Sequence, residues 1–245
     1  MLFAAGLGTR LRPFTNDRPK ALVEIDGQPL LEIAIRRLLE AGCREIIINV
    51  HHFAEMVVDF LEQKQHFGIR IAISDERSQL LDTGGGLKKA AWFLSGSESF
   101  LVCNVDVLTT LDLAKFYRTH VESGALATLA VRQRNTSRYF LMTEKMQLAG
   151  WQNAGTGETR WCKPGDPPTA QPYAFSGIHA IRPEIFEWMP EDEVFSIIDV
   201  YLKAAAFHPI LGYPHDEDAW LDVGNPESLK KASKVWRQIK NFSLP

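Results

Sequence analysis

The 245-residue chain is 45% apolar and 23% charged, proportions of a soluble globular protein with ample length for a core. Its 27 Lys and Arg against 30 Asp and Glu leave a formal net charge of −3 with His neutral. Polymeric nucleic acid is therefore not an expected partner, and no like-charge tail stands out. No apolar run approaches the roughly 18–20 residues of a membrane-spanning helix.

In chain order, Met1–Ala4 is a short apolar run broken by a Gly-containing loop. The segment 29-PLLEIAIRRLLEAG-42 carries apolar residues at helical spacing, with Pro29 suited to the first helical position and Gly42 to the C-terminal cap. Then come a β-branched strand at 44–50, an amphipathic helix at 53–64, a strand at 69–73, a helix at 85–95 and a strand at 100–105 that runs into Asp106. This alternation predicts a parallel sheet flanked by helices, which binds ligands beyond the carboxyl ends of its strands. In the second half, strands are expected at 125–132, 138–143 and 173–181, with antiparallel additions. The Gly-, Pro- and Thr-rich stretch 152–172 is expected to be an exposed loop. A last helix is expected at 226–242, with Asn225 as N-cap and Pro226 behind it. No repeat or linker divides the chain, so one domain is expected over 1–245. Two parts are expected within it, over about 1–110 and about 111–225.

Cys43, Cys103 and Cys162 are odd in number and lack C-x-x-C spacing, which argues against a disulfide framework or a structural zinc. No basic segment followed by an apolar one opens the chain, so no secretory leader is expected and a cytoplasmic protein with reduced thiols is. The segment richest in chemical signal is 3-FAAGLGTRLRPFTNDRPKAL-22. Glycines at 6 and 8 allow close approach of backbone N–H groups to phosphate oxygens, and Arg10 and Lys20 lie in a long stretch without apolar periodicity. Leu11 stands where a dinucleotide fingerprint needs a third small residue, and no Gly-Lys-Ser/Thr ends the loop. Asp106, after a buried strand, reads either as a turn acid or as a hard oxygen ligand for Mg2+. Asp222, before a Gly-Asn-Pro turn, reads the same two ways. The triple glycine of 82-DTGGGLKKA-90 is either a hinge or a place where backbone approaches a flat ring. Lys163 and Ser176–Gly177 are weak signals alone, and His51 and His52 lack a third ligand for zinc.

These residues resemble the sugar-1-phosphate nucleotidyltransferases, also called nucleotide-sugar pyrophosphorylases. The likeness runs from 4-AAGLGTRLRP-13 and 18-RPKAL-22 through 82-DTGGG-86, 104-NVD-106, 163-KP-164 and 175-FSG-177 to 220-WLDVGNP-226, in that family's order. It implies a Rossmann-like α/β/α sandwich with a mostly parallel mixed sheet. The implied reaction joins a sugar 1-phosphate to a nucleoside triphosphate and releases pyrophosphate, with Mg2+ as cofactor. The resemblance gives Arg10 and Lys20 catalytic roles on the triphosphate, and places Ala5, Gly6, Gly8, Thr9, Asp82, Gly85 and Asn104 at the nucleotide. Asp106 and Asp222 would hold the metal, and Lys163, Ser176 and Gly177 the sugar phosphate; the part over about 1–110 would bind the nucleotide and that over about 111–225 the sugar phosphate. Many relatives carry glutamate before that lysine, where this chain has Cys162.

The acid-Thr-Gly-Gly-Gly segment looks most like N-acetylmuramate 1-phosphate uridylyltransferases of cell-wall recycling, which favours UTP. The mannose- and heptose-1-phosphate guanylyltransferases, similar around 49-NVHHFAE-55, are the alternative. The chain starts closer to the glycine loop than is usual, and no room is expected after the last helix for an appended β-helix or acyltransferase domain. Two further readings compete. A catalytically silent regulatory member would have lost charge at Arg10, Lys20, Asp106 or Asp222, and all four are present. A nicotinamide oxidoreductase is disfavoured by Leu11.

Overall fold

The alternation of the first half becomes four parallel strands. In the computed structural model, which describes residues 1–165 and 168–242, Leu2–Phe3 pairs in parallel with Glu45–Val50 on one side and with the strand ending at Asn104 on the other. Glu45–Val50 pairs in turn with Arg70–Asp75. Ile46, Ile47, Ile48 and Val50 are all buried, which is why that run does not alternate with polar residues. The helix Leu30–Glu40 buries Leu30, Leu31, Ile33, Ile35 and Leu38, and Pro29 caps it rather than opening it. It ends in a Schellman motif: Gly42, at φ +92°, donates to Leu39 and Cys43 donates to Leu38.

The chain forms two compact units. The first comprises Met1–Leu80, Cys103–Ala114 and the chain from Asp218 onward; the second comprises Leu81–Val102 and Lys115–Glu217. The first unit adds an antiparallel pair, Val107–Thr109 with Trp220–Asp222, and the long helix Pro226–Phe242. Asn225 caps that helix as expected, its side chain accepting from the Ser228 N–H at 2.9 Å. The helix completes a core of Leu11, Val23, Ile25, Leu30, Ile33, Leu108, Val223, Ala232, Trp236 and Ile239.

In the second unit the strand Gln171–Ile181 lies between Ala127–Arg132 and Arg138–Met142, antiparallel to both. Ile210–Pro214 joins the outer side of Ala127–Arg132 in parallel, so this sheet is mixed. Leu148–Asn153 and Glu158–Trp161 extend it beyond Arg138–Met142. The expected exposed loop over 152–172 is therefore wrong in part. Asn153 accepts from Gly157 and, through its side chain, from Gly155, which closes a turn, and Arg160 lies 4.5 Å over the Trp151 ring across the hairpin. Residues 166 and 167 of that stretch lie outside the described residues.

The helix expected at 85–95 is two pieces, Asp82–Lys89 and Ala91–Leu94. It begins three residues early because the Asp82 side chain accepts from the Thr83 N–H at 2.6 Å and the Phe195 carbonyl accepts from Gly84 and Gly85 at 2.9 and 3.3 Å. Unanticipated helices lie at Leu113–Ser123 and Ile197–Ala204. Among the described residues, no helix is long and apolar enough to cross a membrane.

A side chain at Gly85 would place Cβ 2.0 Å from the Glu193 carbonyl oxygen, whereas one at Gly96 would meet nothing within 4 Å. Gly85→Ala is expected to destabilise the protein by about 1–3 kcal/mol, lowering its melting temperature by roughly 3–10 °C, with Gly96→Ala near neutral. Thermal unfolding of the two variants side by side checks this. Equal melting temperatures would contradict it.

Candidate active site

The glycine loop leaves the sheet at Phe3 and turns at Gly8, whose φ of +64° is one that residues with a side chain seldom adopt. A Cβ there would lie 3.0 Å from Thr15 and 3.2 Å from Lys20, and the Thr15 hydroxyl donates to the Gly8 carbonyl at 2.9 Å. The loop is thus folded back onto the segment that carries Lys20. Ala5 is buried, while Gly6, Thr9 and Arg10 are exposed. Leu11 sits fully in the core and anchors the turn that presents Arg10.

Four charged residues of the first unit converge beside this loop. Lys20 Nζ hydrogen-bonds Asp106 Oδ2 and lies 3.9 Å from Asp222 Oδ1. Asp106 follows the strand ending at Asn104, as expected, and the Asp106 carbonyl accepts from the Val223 N–H at 2.9 Å. Asp222 closes the strand Trp220–Asp222, paired opposite Val107. The second acid therefore reaches the first through a three-residue antiparallel ladder. Gly224 is the residue that permits this packing: a Cβ there would lie 2.7 Å from Asp222 Oδ1 and 3.2 Å from an Arg10 guanidinium nitrogen. Burial, then the neighbouring Asp106 carboxylate, raise the Asp222 pKa, against the pull of Lys20 and Arg10.

Asp222 Oδ1 is buried and accepts no hydrogen bond. A buried carboxylate oxygen without a donor, beside a second carboxylate, suits a hard divalent cation that prefers oxygen ligands. Among the described residues, no group of three or more His, Cys, Asp and Glu side chains is gathered as a metal cage. Two carboxylates fit instead a Mg2+ that keeps water and phosphate oxygens in its shell.

The remaining candidates lie in the second unit, apart from Asn104, which ends its strand half-buried. Asp82 is exposed, at φ +59°. Gly84 and Gly85 do face a close backbone approach, but the approaching group is Glu193–Phe195 of this chain. Lys163 is exposed beyond the strand Glu158–Trp161. Its neighbour Cys162, whose thiol burial pushes up to about 11, donates its N–H to Ala149. Ser176 and Gly177 are buried in the strand Gln171–Ile181, and Gly177 adopts φ +77°.

Sequence reasoning missed several residues that shape these sites. Ser176 Oγ is 2.7 Å from His215 Nε2, both side chains buried, so this Ser–His pair ties strand to loop inside the core. Gly224 was legible as a turn glycine but not as a neighbour of Arg10. Asn49, buried, accepts from the Ala4 N–H at the start of the glycine loop and donates to the buried Glu76; its one signal in the sequence is a polar residue in an apolar run. His51, flagged at a strand end, donates through Nδ1 to the Glu76 carbonyl at 2.7 Å, and His52 is exposed.

The profile of the nucleotidyl transferase family matches residues 1–238. The N-acetylmuramate alpha-1-phosphate uridylyltransferase of Caulobacter vibrioides is 34% identical over 237 residues, covering 93% of this chain and 92% of that protein. The enzyme of the same name from Neisseria meningitidis serogroup B is 32% identical over 241 residues, covering 96% of each. Among solved structures, HddC from Yersinia pseudotuberculosis complexed with GMP-PN has a TM-score of 0.75 at 20% identity, over 96% of this chain and 97% of that one, and so shares the fold. With the glycine loop, the paired carboxylates and their two cations in place, and a family match over almost its full length, this chain belongs to the nucleotidyl transferase family as a sugar-1-phosphate nucleotidyltransferase.

Proposed function

We propose that the protein transfers a uridylyl group from UTP to a sugar 1-phosphate, with Mg2+, giving a UDP-sugar and pyrophosphate. The observation that carries this reading is the convergence of Lys20 and Arg10 on Asp106 and Asp222 beside the glycine loop. UTP is favoured over GTP because the two relatives aligned over nearly their whole lengths are named uridylyltransferases. Their names also make N-acetylmuramate 1-phosphate the first sugar to test.

Two anions must meet in this reaction, so charge neutralisation and alignment are the protein's main tasks. The sugar phosphate oxygen attacks the α-phosphorus in line while the pyrophosphate bond opposite it breaks. The nucleophile is already an anion at neutral pH, so no general base is required. Loop N–H groups from Ala5 to Thr9 and the Arg10 guanidinium neutralise the triphosphate, and Lys20 does so from the Asp106 side. Asp106 and Asp222 would hold a Mg2+, which would supply further charge neutralisation at the phosphates. Asp82, Gly85 and Asn104 are assigned to the nucleoside, and Lys163, Ser176 and Gly177 to the sugar phosphate, on the motif matches.

The direct test is pyrophosphate release from UTP, GTP, dTTP, CTP and ATP against several sugar 1-phosphates with Mg2+. UTP is expected to stand out. Preference for GTP would move the protein to the guanylyltransferases, and silence from folded, nucleotide-binding protein would favour the regulatory reading. Asp106→Asn and Asp222→Asn are each expected to cut turnover by about 10²–10³-fold at saturating Mg2+. Asp222→Asn is expected to melt no lower than the parent, since it removes a like charge beside Asp106. Near-parental turnover in either variant would remove that residue from the metal site. Lys163→Ala is expected to raise the KM for the sugar phosphate about tenfold with little change in that for UTP. An unchanged sugar-phosphate KM would show that Lys163 does not bind it.

A further inference from the structure

We propose that Asn49 and Glu76 are positioning residues, a buried relay that fixes the start of the glycine loop for the nucleoside triphosphate. The proposal rests on the reading that this loop binds the triphosphate. It begins with an accounting problem at the end of the first strand. Phe3 is the last residue of that strand to pair with its neighbours, and Ala4, 7% exposed, still has an N–H to satisfy. Asn49 Oδ1 accepts it at 2.7 Å, from the neighbouring strand. The Asn49 side-chain amide then donates to Glu76 Oε1 at 2.8 Å. Glu76 is held in its turn: its N–H donates to the Val50 carbonyl at 2.8 Å, and its carbonyl accepts from His51.

The chemistry of the three groups sets a direction. A backbone N–H can only donate, so Ala4 obliges Asn49 to turn its amide oxygen toward it. The amide NH2 is then left facing Glu76 Oε1, and Ala4 is two residues before Gly6. Asn49 is 3% exposed and Glu76 0%, and the other buried residues of the Asn49 strand are Ile46, Ile47, Ile48 and Val50. Two buried polar side chains there cost free energy that an apolar pair would not. What the polar pair adds is one fixed position for the backbone where strand becomes loop. A loop with glycines at 6 and 8 has little rigidity of its own, so its first residue must be held from outside. Both residues are enclosed, so they act through the backbone of Ala4 and not on the ligand.

The test compares Asn49→Leu, Glu76→Leu, Glu76→Gln and the double leucine variant in the full chain. Equilibrium titration with UTP and, in parallel, GTP gives Kd; steady-state kinetics give both KM values; thermal unfolding is followed alongside. Asn49→Leu and Glu76→Leu are expected to weaken nucleotide binding about tenfold each, while the sugar-phosphate KM at saturating nucleotide stays within about twofold. The double variant is expected to bind no more weakly than either single one, because both break the same chain of hydrogen bonds. Glu76→Gln, which still offers an oxygen to Asn49, is expected to stay within about threefold of the parent. Leucine variants that melt lower but bind nucleotide like the parent would overturn the relay. So would Glu76→Gln binding as weakly as Glu76→Leu, because the carboxylate charge would then be acting by itself. Should Asn49→Leu not fold, Asn49→Ser, which lacks the reach to bridge Ala4 and Glu76, is read by the same criteria. A parent protein that binds neither nucleotide would instead overturn the proposed function, and this proposal with it.

Discussion

Two carboxylates brought into one partly buried site repel each other, and each resists ionisation unless cations stand beside it. That constraint organises the first unit. Lys20 touches Asp106 and faces Asp222, and Arg10 comes in against Gly224 from the glycine loop. Lys20 and Asp106 are mostly buried, and the cost of desolvating such a pair offsets much of its attraction, so this convergence is not explained as a device for holding the fold together. An arrangement that leaves one buried carboxylate oxygen without a donor, and crowds like charges, suits a site whose charges are completed by its ligands.

The apolar core beneath supplies the stability that the charges do not. Leu11 follows Arg10, Val223 follows Asp222, and Leu108 lies two residues after Asp106; all three belong to the cluster that Trp236 and Ile239 of the last helix complete. Each such buried side chain is worth about 1.5–3 kcal/mol, so the backbone just after Arg10, Asp106 and Asp222 is pinned by these neighbours. The C-terminal helix thereby serves the site without lending it a charge. Its capping Asn225 follows Gly224 directly, which links the end of the Asp222 turn to the start of the helix.

Much of this was legible in the sequence for physical reasons. Apolar runs of strand length, a helix closed by Gly42 and a glycine-interrupted loop after a strand are local signals, and they place Gly8 and Asp106 correctly. Asp222 is legible as an acid before a Gly-Asn-Pro turn, but its strand of three residues is too short for any periodicity to reveal. Pairings distant in sequence stayed hidden. Nothing local shows that Val107–Thr109 will find Trp220–Asp222, that Ser176 meets His215, or that Glu158–Trp161 is a strand among turn-forming residues. The triple glycine illustrates the limit well. It reads as a hinge or as a place where backbone meets a flat ring, and at Gly84 and Gly85 what comes close is Glu193–Phe195 of the same chain.

The relay at Asn49 and the clash that a side chain at Gly224 would cause follow one logic. Transfer between phosphates asks little covalent chemistry of a protein and much accuracy in where its cations and N–H groups stand. Glycines let a backbone come close to an anion, but they also leave it many conformations to lose. The loop between Phe3 and Lys20 is therefore held at three points of different kinds: a buried amide on Ala4, the Thr15 hydroxyl on the Gly8 carbonyl, and Leu11 in the core. Each restraining side chain lies outside Ala5–Arg10, so the N–H groups of that stretch remain available to a ligand. A loop stiffened from within, by side chains in place of Gly6 and Gly8, would give up that close approach to gain the same order.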